Sequence, residues 1–568
     1  MTPVAQKFSS QAAPDLSHFR RQYPLTVANF GALANRESYL RRIWELDVRW
    51  QESMERRDVD AGREVIVRGA PPAGREIEGE FEIIYAGGVL GLLHAAVMAC
   101  RYNRSVLVFD AHAVGQTHRD WNISDEELRE FDRAGLFTKE DLEAAVVNRY
   151  RSGFVKFHDA KSRVKTPPLW MNNVLDVALE ADRLLALAAE KIRAQGAPGC
   201  ALLDATRFVR AYQEPHRVTV EVEDARGRTH LYAARLFVDA TGTNSPVARQ
   251  LNGGRAITHV CPTVGTVARG FARGEEADKV DFSVGEILVS TEDASDHRQL
   301  IWEGFAGSPA RDEYTTYLFF YDAVDSPADK SLLALFERYF ESLPAYKRAG
   351  AQWRVKKPVF GYIPSFHQHG RKNRKRTADD RVLLVGDAAG LSSPLTFCGF
   401  GSHVRNLRRL THLTDLALAA DLLDAKPLSE INAYEARVAQ MGSLAEFLRP
   451  TPQGEPAHVN ETLNAVMAAL HDLDERVRRE LFQDQMTFSA LKSLLGRTAK
   501  LYPRIFQRVR EHLGARGAFW WAANVAEAAF SERRSRVAAE GTTTAARNAE
   551  SAAQKFTRHV ADYQKEHG

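Results

Sequence analysis

Apolar and polar positions fall into distinct rhythms along the chain. Between 81 and 110 a short apolar run (81–85) meets a glycine turn, then a long apolar stretch (90–101) and a second short apolar run (105–109). That is the pattern of strand, helix and strand, one βαβ unit. From 218 to 240, and again from 257 to 321, alternating and β-branched residues predict antiparallel strands, with 298–305 and 314–321 joined across a Gly-Ser-Pro turn. A further apolar strand at 382–385 leads into glycine-rich loops and a helix, and beyond about 429 the pattern is almost wholly helical. Ahead of all this, a helical run at 37–57 is closed by a Gly- and Pro-containing stretch at 69–74.

The expected architecture is therefore α/β. A Rossmann-like cofactor domain is assembled from 81–255 and 371–428, a β-rich substrate domain spans 256–370, and helical segments at 1–80 and 429–568 flank them.

Composition narrows the function. With 44% hydrophobic and 26% charged residues, 568 residues make an ordinary globular protein of several domains. Lys plus Arg number 76 against 73 for Asp plus Glu, so a net charge of +3 provides no field to recruit nucleic acid. Cys100, Cys200, Cys261 and Cys398 are scattered and form no Cys-x-x-Cys pair, which predicts reduced thiols and no metal centre. The first residues lack an apolar leader, and no stretch reaches the roughly 18 apolar residues of a membrane span. A cytoplasmic protein, soluble or peripherally attached, is expected; oligomeric state is not legible.

In Tyr85-Ala86-Gly87-Gly88-Val89-Leu90-Gly91 a strand enters a helix, the context in which a G-x-G-x-x-G pattern binds a dinucleotide. Gly88 allows a pyrophosphate to approach the backbone and Gly91 allows helix to pack on strand, while the helix N-terminus offers free N–H groups. Asp110 follows 19 positions after Gly91, placed to accept from ribose hydroxyls. Ala86 stands where the pattern has its first glycine, and would strain the turn if a positive φ were needed. A βαβ unit without nucleotide is the alternative reading.

Nearly 300 residues later, the strand 382–385 ends in Gly386-Asp387, an aspartate suited to a ribityl or phosphate contact. Gly399 and Gly401, just ahead of a helix, would let a loop lie against a flat ring. Two remote loops suit a long ligand such as FAD better than NAD. Between them, Asp239-Ala240-Thr241-Gly242 resembles the Ala-x-Gly-x-x-Ser segment of hydroxylase-like flavoproteins, with Thr241 where NAD(P)H-dependent hydroxylases commonly have aspartate.

Taken together, 86–91, Arg119-Asp120-Trp121-Asn122-Ile123-Ser124 and the stretch 393–407 resemble the CruA/CruP-type lycopene cyclases, over about 81–420. The resemblance implies the hydroxylase-like FAD fold, FAD active in its reduced form with NAD(P)H a candidate reductant, and an apolar carotenoid whose linear ψ-end becomes a β-ionone ring. It also places Arg119, Trp121 and Asn122 beside the cofactor. Such an isomerisation needs an acid, a dry pocket and a base, and a desolvated carboxyl stays protonated near neutral pH.

The candidate acid is Glu303, set on a strand between Trp302 and Phe305, at a position similar to a strand glutamate of other lycopene cyclases. Strand geometry turns it away from Trp302 and onto the face of Ile301 and Phe305; a solvent-facing glutamate on an edge strand is the alternative. His367 and His369 lack further ligands and read as loop histidines, and the basic run 371–376 reads as a solvated loop. The mixture of basic and aromatic residues at 494–530 reads as a helical cap with an apolar inner face, or else as a surface resting on a membrane. An FAD-dependent oxidoreductase or monooxygenase acting on another apolar molecule, and a non-catalytic carotenoid- or flavin-binding paralogue, are the other functions this sequence admits.

Overall fold

The computed structural model describes residues 13–55, 64–367, 375–392, 394–396, 399–431, 443–451, 454–539 and 551–567. Two large sheets organise them. In the first, the strand Gly79–Ala86 lies between Val106–Phe109 and Thr229–Asp239, parallel to both, and Val382–Leu384 extends the parallel set beside Phe237–Asp239. Val106–Phe109 is buried throughout, and the helix Leu90–Arg101 that connects the two strands is buried almost all round. A segment that is apolar on every face belongs between layers.

The second sheet is antiparallel around His259–Phe271, which pairs with Glu313–Phe319 on one side and with the long strand Ala349–Ser365 on the other. Glu313–Phe319 pairs in turn with Ile301–Ala306, in a register that sets Glu303 opposite Tyr317. Ile301–Ala306 is an interior strand with Val284–Val289 beyond it, so Glu303 does not stand on an edge. One face of this hairpin lies beneath the helix Leu332–Tyr346: Trp302 stacks on Tyr346 with centroids 4.5 Å apart and meets Tyr339 at 5.4 Å. Alternation then turns Glu303 to the other face.

Two boundaries differ from the sequence expectation. Ser152–Lys156 and Leu169–Met171 join the second sheet, the former running parallel to Val284–Val289, so that sheet is not confined to 256–370. Within 1–80, the helix Arg36–Glu55 is followed by a short strand, Ile66–Arg68, that pairs with Arg207–Gln213 in the first sheet. None of these three strands exceeds five residues, too short for periodicity to reveal. Beyond 443 the described elements are all helical.

Candidate active site

A cavity of about 560 Å³ joins the glycine turn of the first sheet to the hairpin face of the second. At its first end Gly87 has φ +113°, and a Cβ there would fall 2.2 Å from the Ala240 carbonyl oxygen. Ala86 needs no such conformation: it is a buried strand residue without positive φ, and the strain anticipated for it is absent. The Gly88 N–H donates to Asp110 Oδ2 at 2.7 Å and the His112 N–H to Oδ1 at 2.8 Å, which fixes the carboxylate while leaving lone pairs toward the cavity it lines. No side chain caps the helix that starts at Leu90, so its first N–H groups and the positive end of its dipole are available to an anion.

Gly91 does not face the cavity. A Cβ on it would sit 2.8 Å from that of Ala240, so the glycine sets the distance between helix and strand. Gly91→Ala should lower stability by about 1–3 kcal/mol through this overlap; a melting curve identical to the parent's would show that the contact is slack.

The second loop divides. Asp387 and Gly399 line the cavity, and Asp387 is raised above the ordinary carboxylate range by burial, with Arg119 and Lys375 opposing. Gly386, at φ +58°, sits against Leu90 instead. Gly401 departs from expectation: it lies inside the helix Gly399–Ala419, and the place of its Cβ is taken by the Glu127 carboxylate, 2.5 Å away, which pairs with Arg405. This glycine accommodates an ion pair rather than a flat ring. Arg119 lines the cavity and lies across Gly361, whose Cβ would come 2.6 Å from the guanidinium. Trp121 stacks on Phe400 with centroids 3.9 Å apart and 9° between planes, and both line the cavity.

At the far end stands Glu303, 7% exposed, with Phe305 on its own strand and Tyr317 opposite it also lining the cavity. Burial pushes its carboxyl up to about 8, against a side-chain hydrogen bond with Asn122 that lowers it. A second carboxyl, Asp120, lines the same cavity and is raised to about 6 by burial, with Lys357 opposing. Tyr317 links the two regions: as the register partner of Glu303, it donates its hydroxyl to the Asp120 carbonyl at 2.9 Å and accepts the Asp120 N–H at 3.0 Å. Nothing in the sequence marked Asp120 apart from other aspartates, because only burial distinguishes it.

Two further expectations change. Lys375, the described lysine of the basic run, is buried and donates to the Ala388 carbonyl at 3.2 Å; 371–374 lie outside the described residues. His367 is not a simple loop histidine, since it is buried beside His259 and Glu446; His369 lies outside the described residues. Glu446 Oε1 is 2.5 Å from His259 Nε2 and 3.0 Å from His367 Nδ1, and its other oxygen pairs with Arg449 at 2.7 Å. The two rings stack 3.9 Å apart with 27° between planes. Each of the three offers one ligand-type atom, and these atoms lie within 4.8 Å of one another, while Arg449 balances the carboxylate. Through Glu446 the trio ties the C-terminal helical region to the second sheet.

The cavity suits a flavin dinucleotide. One end provides a helix N-terminus and the Asp110 carboxylate; further along are stacked aromatic rings; and the buried Oδ1 atoms of Asn122 and Asn244, on two residues lining it, have no partner among the described residues. The sequence matches no protein-family model and no curated protein. Solved structures do resemble it. A geranylgeranyl bacteriochlorophyll reductase-like protein from Thermoplasma acidophilum aligns with a TM-score of 0.54 at 14% identity, over 76% of this chain and 99% of that one. Halogenase PltM, in complex with phloroglucinol and FAD, aligns with a TM-score of 0.50 at 13% identity, over 86% and 96% of the two chains. The fold is that of the FAD-binding, hydroxylase-like flavoproteins.

Proposed function

We propose that this protein is an FAD-dependent enzyme of the lycopene cyclase type, converting the linear ψ-end of an apolar carotenoid into a ring by proton-initiated isomerisation. The observation that carries this reading is a carboxyl held in its protonated form, Glu303 at about 8, on the wall of the cavity that also holds the dinucleotide-binding turn. The first turn of the helix after Gly88 would receive the pyrophosphate, Asp110 the ribose hydroxyls, and Asp387 with Arg119 the far side of the cofactor, while Gly88 itself makes room for Val114 and Asp110. Reduced FAD, when bound, supplies negative charge beside the cavity, which favours a cationic reaction centre.

The rest falls to the chain's own side chains. The Glu303 O–H bond breaks as a C–H bond forms at the terminal double bond of the substrate; the next double bond supplies the electron pair that closes the ring. Phe305 and Tyr317 shield the cation from water. Loss of a neighbouring ring proton to a carboxylate completes an isomerisation with no net change in electrons. Asp120 is suited to accept it, because environments that push two carboxyls to about 6 and about 8 leave one ionised and one protonated between those values.

Activity should therefore peak between about pH 6 and pH 8, falling above as Glu303 ionises and below as Asp120 takes up a proton. A kcat/KM profile with purified enzyme and detergent-dispersed lycopene would record it, and a flat profile from pH 5 to 9 would remove both carboxyls from the mechanism. The reading as a whole is tested by expressing the chain in a lycopene-accumulating bacterial host and separating the pigments. γ- or β-carotene is expected. Unchanged lycopene with soluble, flavin-loaded protein would overturn the cyclase reading; product formation that consumes NAD(P)H stoichiometrically would establish the oxidoreductase instead.

The route by which an apolar substrate arrives is part of the same proposal. Among the described residues no helix is long and apolar enough to cross a membrane. In the C-terminal helices Leu494, Tyr502 and Arg508 face inward, while Leu501, Phe506 and Phe519 are exposed beside the exposed Lys500, Arg504, Arg510 and Arg516. These exposed residues combine the groups that rest on a lipid surface, while the inward side carries the basic Arg508 as well as Leu494 and Tyr502.

A further inference from the structure

The helix Arg36–Glu55 carries two stripes with different duties. Ile43, Asp47 and Trp50 anchor it. Asp47 accepts from the Leu332 and Leu333 N–H groups at 2.7 and 3.1 Å and from the Tyr362 hydroxyl at 2.7 Å, and Trp50 stacks on Tyr362 at 4.7 Å. The neighbouring stripe, Arg42, Leu46 and Arg49, lines the cavity together with Gly88, Asp110 and His112. Spacings of three and four residues put each set on one face, and with the first face bolted to the second sheet the other can only look into the cavity.

Neither Arg42 nor Arg49 forms an ion pair with a described carboxylate; Asp110 and Glu45 act on Arg42 only through space. Each Asp110 oxygen accepts from one backbone N–H, and neither is in hydrogen-bond contact with Arg42 or Arg49. Two part-buried guanidiniums with no directly paired carboxylate among the described residues, beside an uncapped helix N-terminus, make a site fitted to an anion. Their Cα atoms lie roughly 10 Å apart along the helix, within reach of one pyrophosphate for two long side chains.

We infer that Arg42 and Arg49 clamp the pyrophosphate of the bound flavin dinucleotide, which makes the N-terminal helix part of the cofactor site. The inference rests on the FAD reading above, and the two can fail separately. Apo-protein is titrated with FAD and with riboflavin, following flavin fluorescence, and ADP is used as competitor. Arg42→Gln and Arg49→Gln should each weaken FAD and ADP by about 10- to 100-fold while riboflavin stays within about twofold of the parent; Arg41→Gln, on the exposed face, should match the parent.

FAD and ADP affinities within about twofold of the parent in folded variants would overturn the clamp. So would an equal loss for riboflavin, which indicates a damaged fold, or a loss confined to adenosine 2′,5′-bisphosphate, which assigns the arginines to a nicotinamide dinucleotide phosphate. Should the glutamine variants not fold, the parent decides: its FAD affinity must fall with added salt while that for riboflavin does not, and equal salt dependence refutes the clamp. A parent that binds neither FAD nor ADP removes the flavoprotein reading itself.

Discussion

Glu303→Gln is expected to lower the cyclisation rate by at least about 100-fold, the range in which a positioned general acid contributes, while flavin content stays at the parental level. Glutamine keeps the shape of the side chain and can still hydrogen-bond Asn122, so packing against Phe305 and Tyr317 is preserved. What disappears is the proton. Water is a poor replacement, since the position is buried. Glu303→Asp is the informative companion: it retains an acid but withdraws it by one methylene, and near-attack geometry is sensitive on that scale. Partial activity in the aspartate variant and none in the glutamine variant assigns the proton to this carboxyl. If the glutamine variant forms cyclic carotenoid at near-parental rate in purified, flavin-loaded form, Glu303 is not the acid and Asp120 becomes the group to replace.

The parts of the fold legible in sequence are those where one local signal decides. The βαβ unit at 81–109 could be read because a mostly apolar helix and two mostly apolar strands flank a glycine turn, and the helix is found at Leu90–Arg101. The face of Glu303 followed from period-two alternation once its strand was placed. The cavity was less legible, because it is assembled from segments remote in sequence. Asp120 and Asn122 take their character from Tyr317 and Glu303, nearly 200 residues away. Gly401 misled because a glycine before a helix suggests backbone exposure, whereas here it yields space to Glu127. His367 looked isolated since His259 and Glu446 are separated from it by more than 75 residues on either side. Likewise, the helix Arg36–Glu55 shows a buried stripe in its sequence, but its cationic stripe acquires meaning only when the cavity is seen beside it.

The same carboxyl should leave a mark on stability that does not depend on activity. A group raised from 4.5 to about 8 on folding keeps its proton in the native state while the unfolded chain has already lost it. Relative to a residue that does not titrate, the native state then loses about 1.4 kcal/mol per pH unit across that window. Below about pH 4.5 Glu303 is neutral in both states and carries no penalty; the penalty grows until about pH 8 and is constant beyond it, where both states are ionised. Glu303→Gln removes the titration, so its stability relative to the parent should rise by roughly 3–5 kcal/mol between pH 5 and pH 8, with the two proteins close at the acid end. Melting temperatures of parent and variant, measured in the same flavin-loaded state at pH 5, 6.5 and 8, give the comparison. A gap that widens with pH places the proton on Glu303 at neutral pH by a route independent of any substrate. A constant gap would mean that the carboxyl titrates like one in water, and an acid that has already ionised at pH 7 could not start the reaction proposed for it.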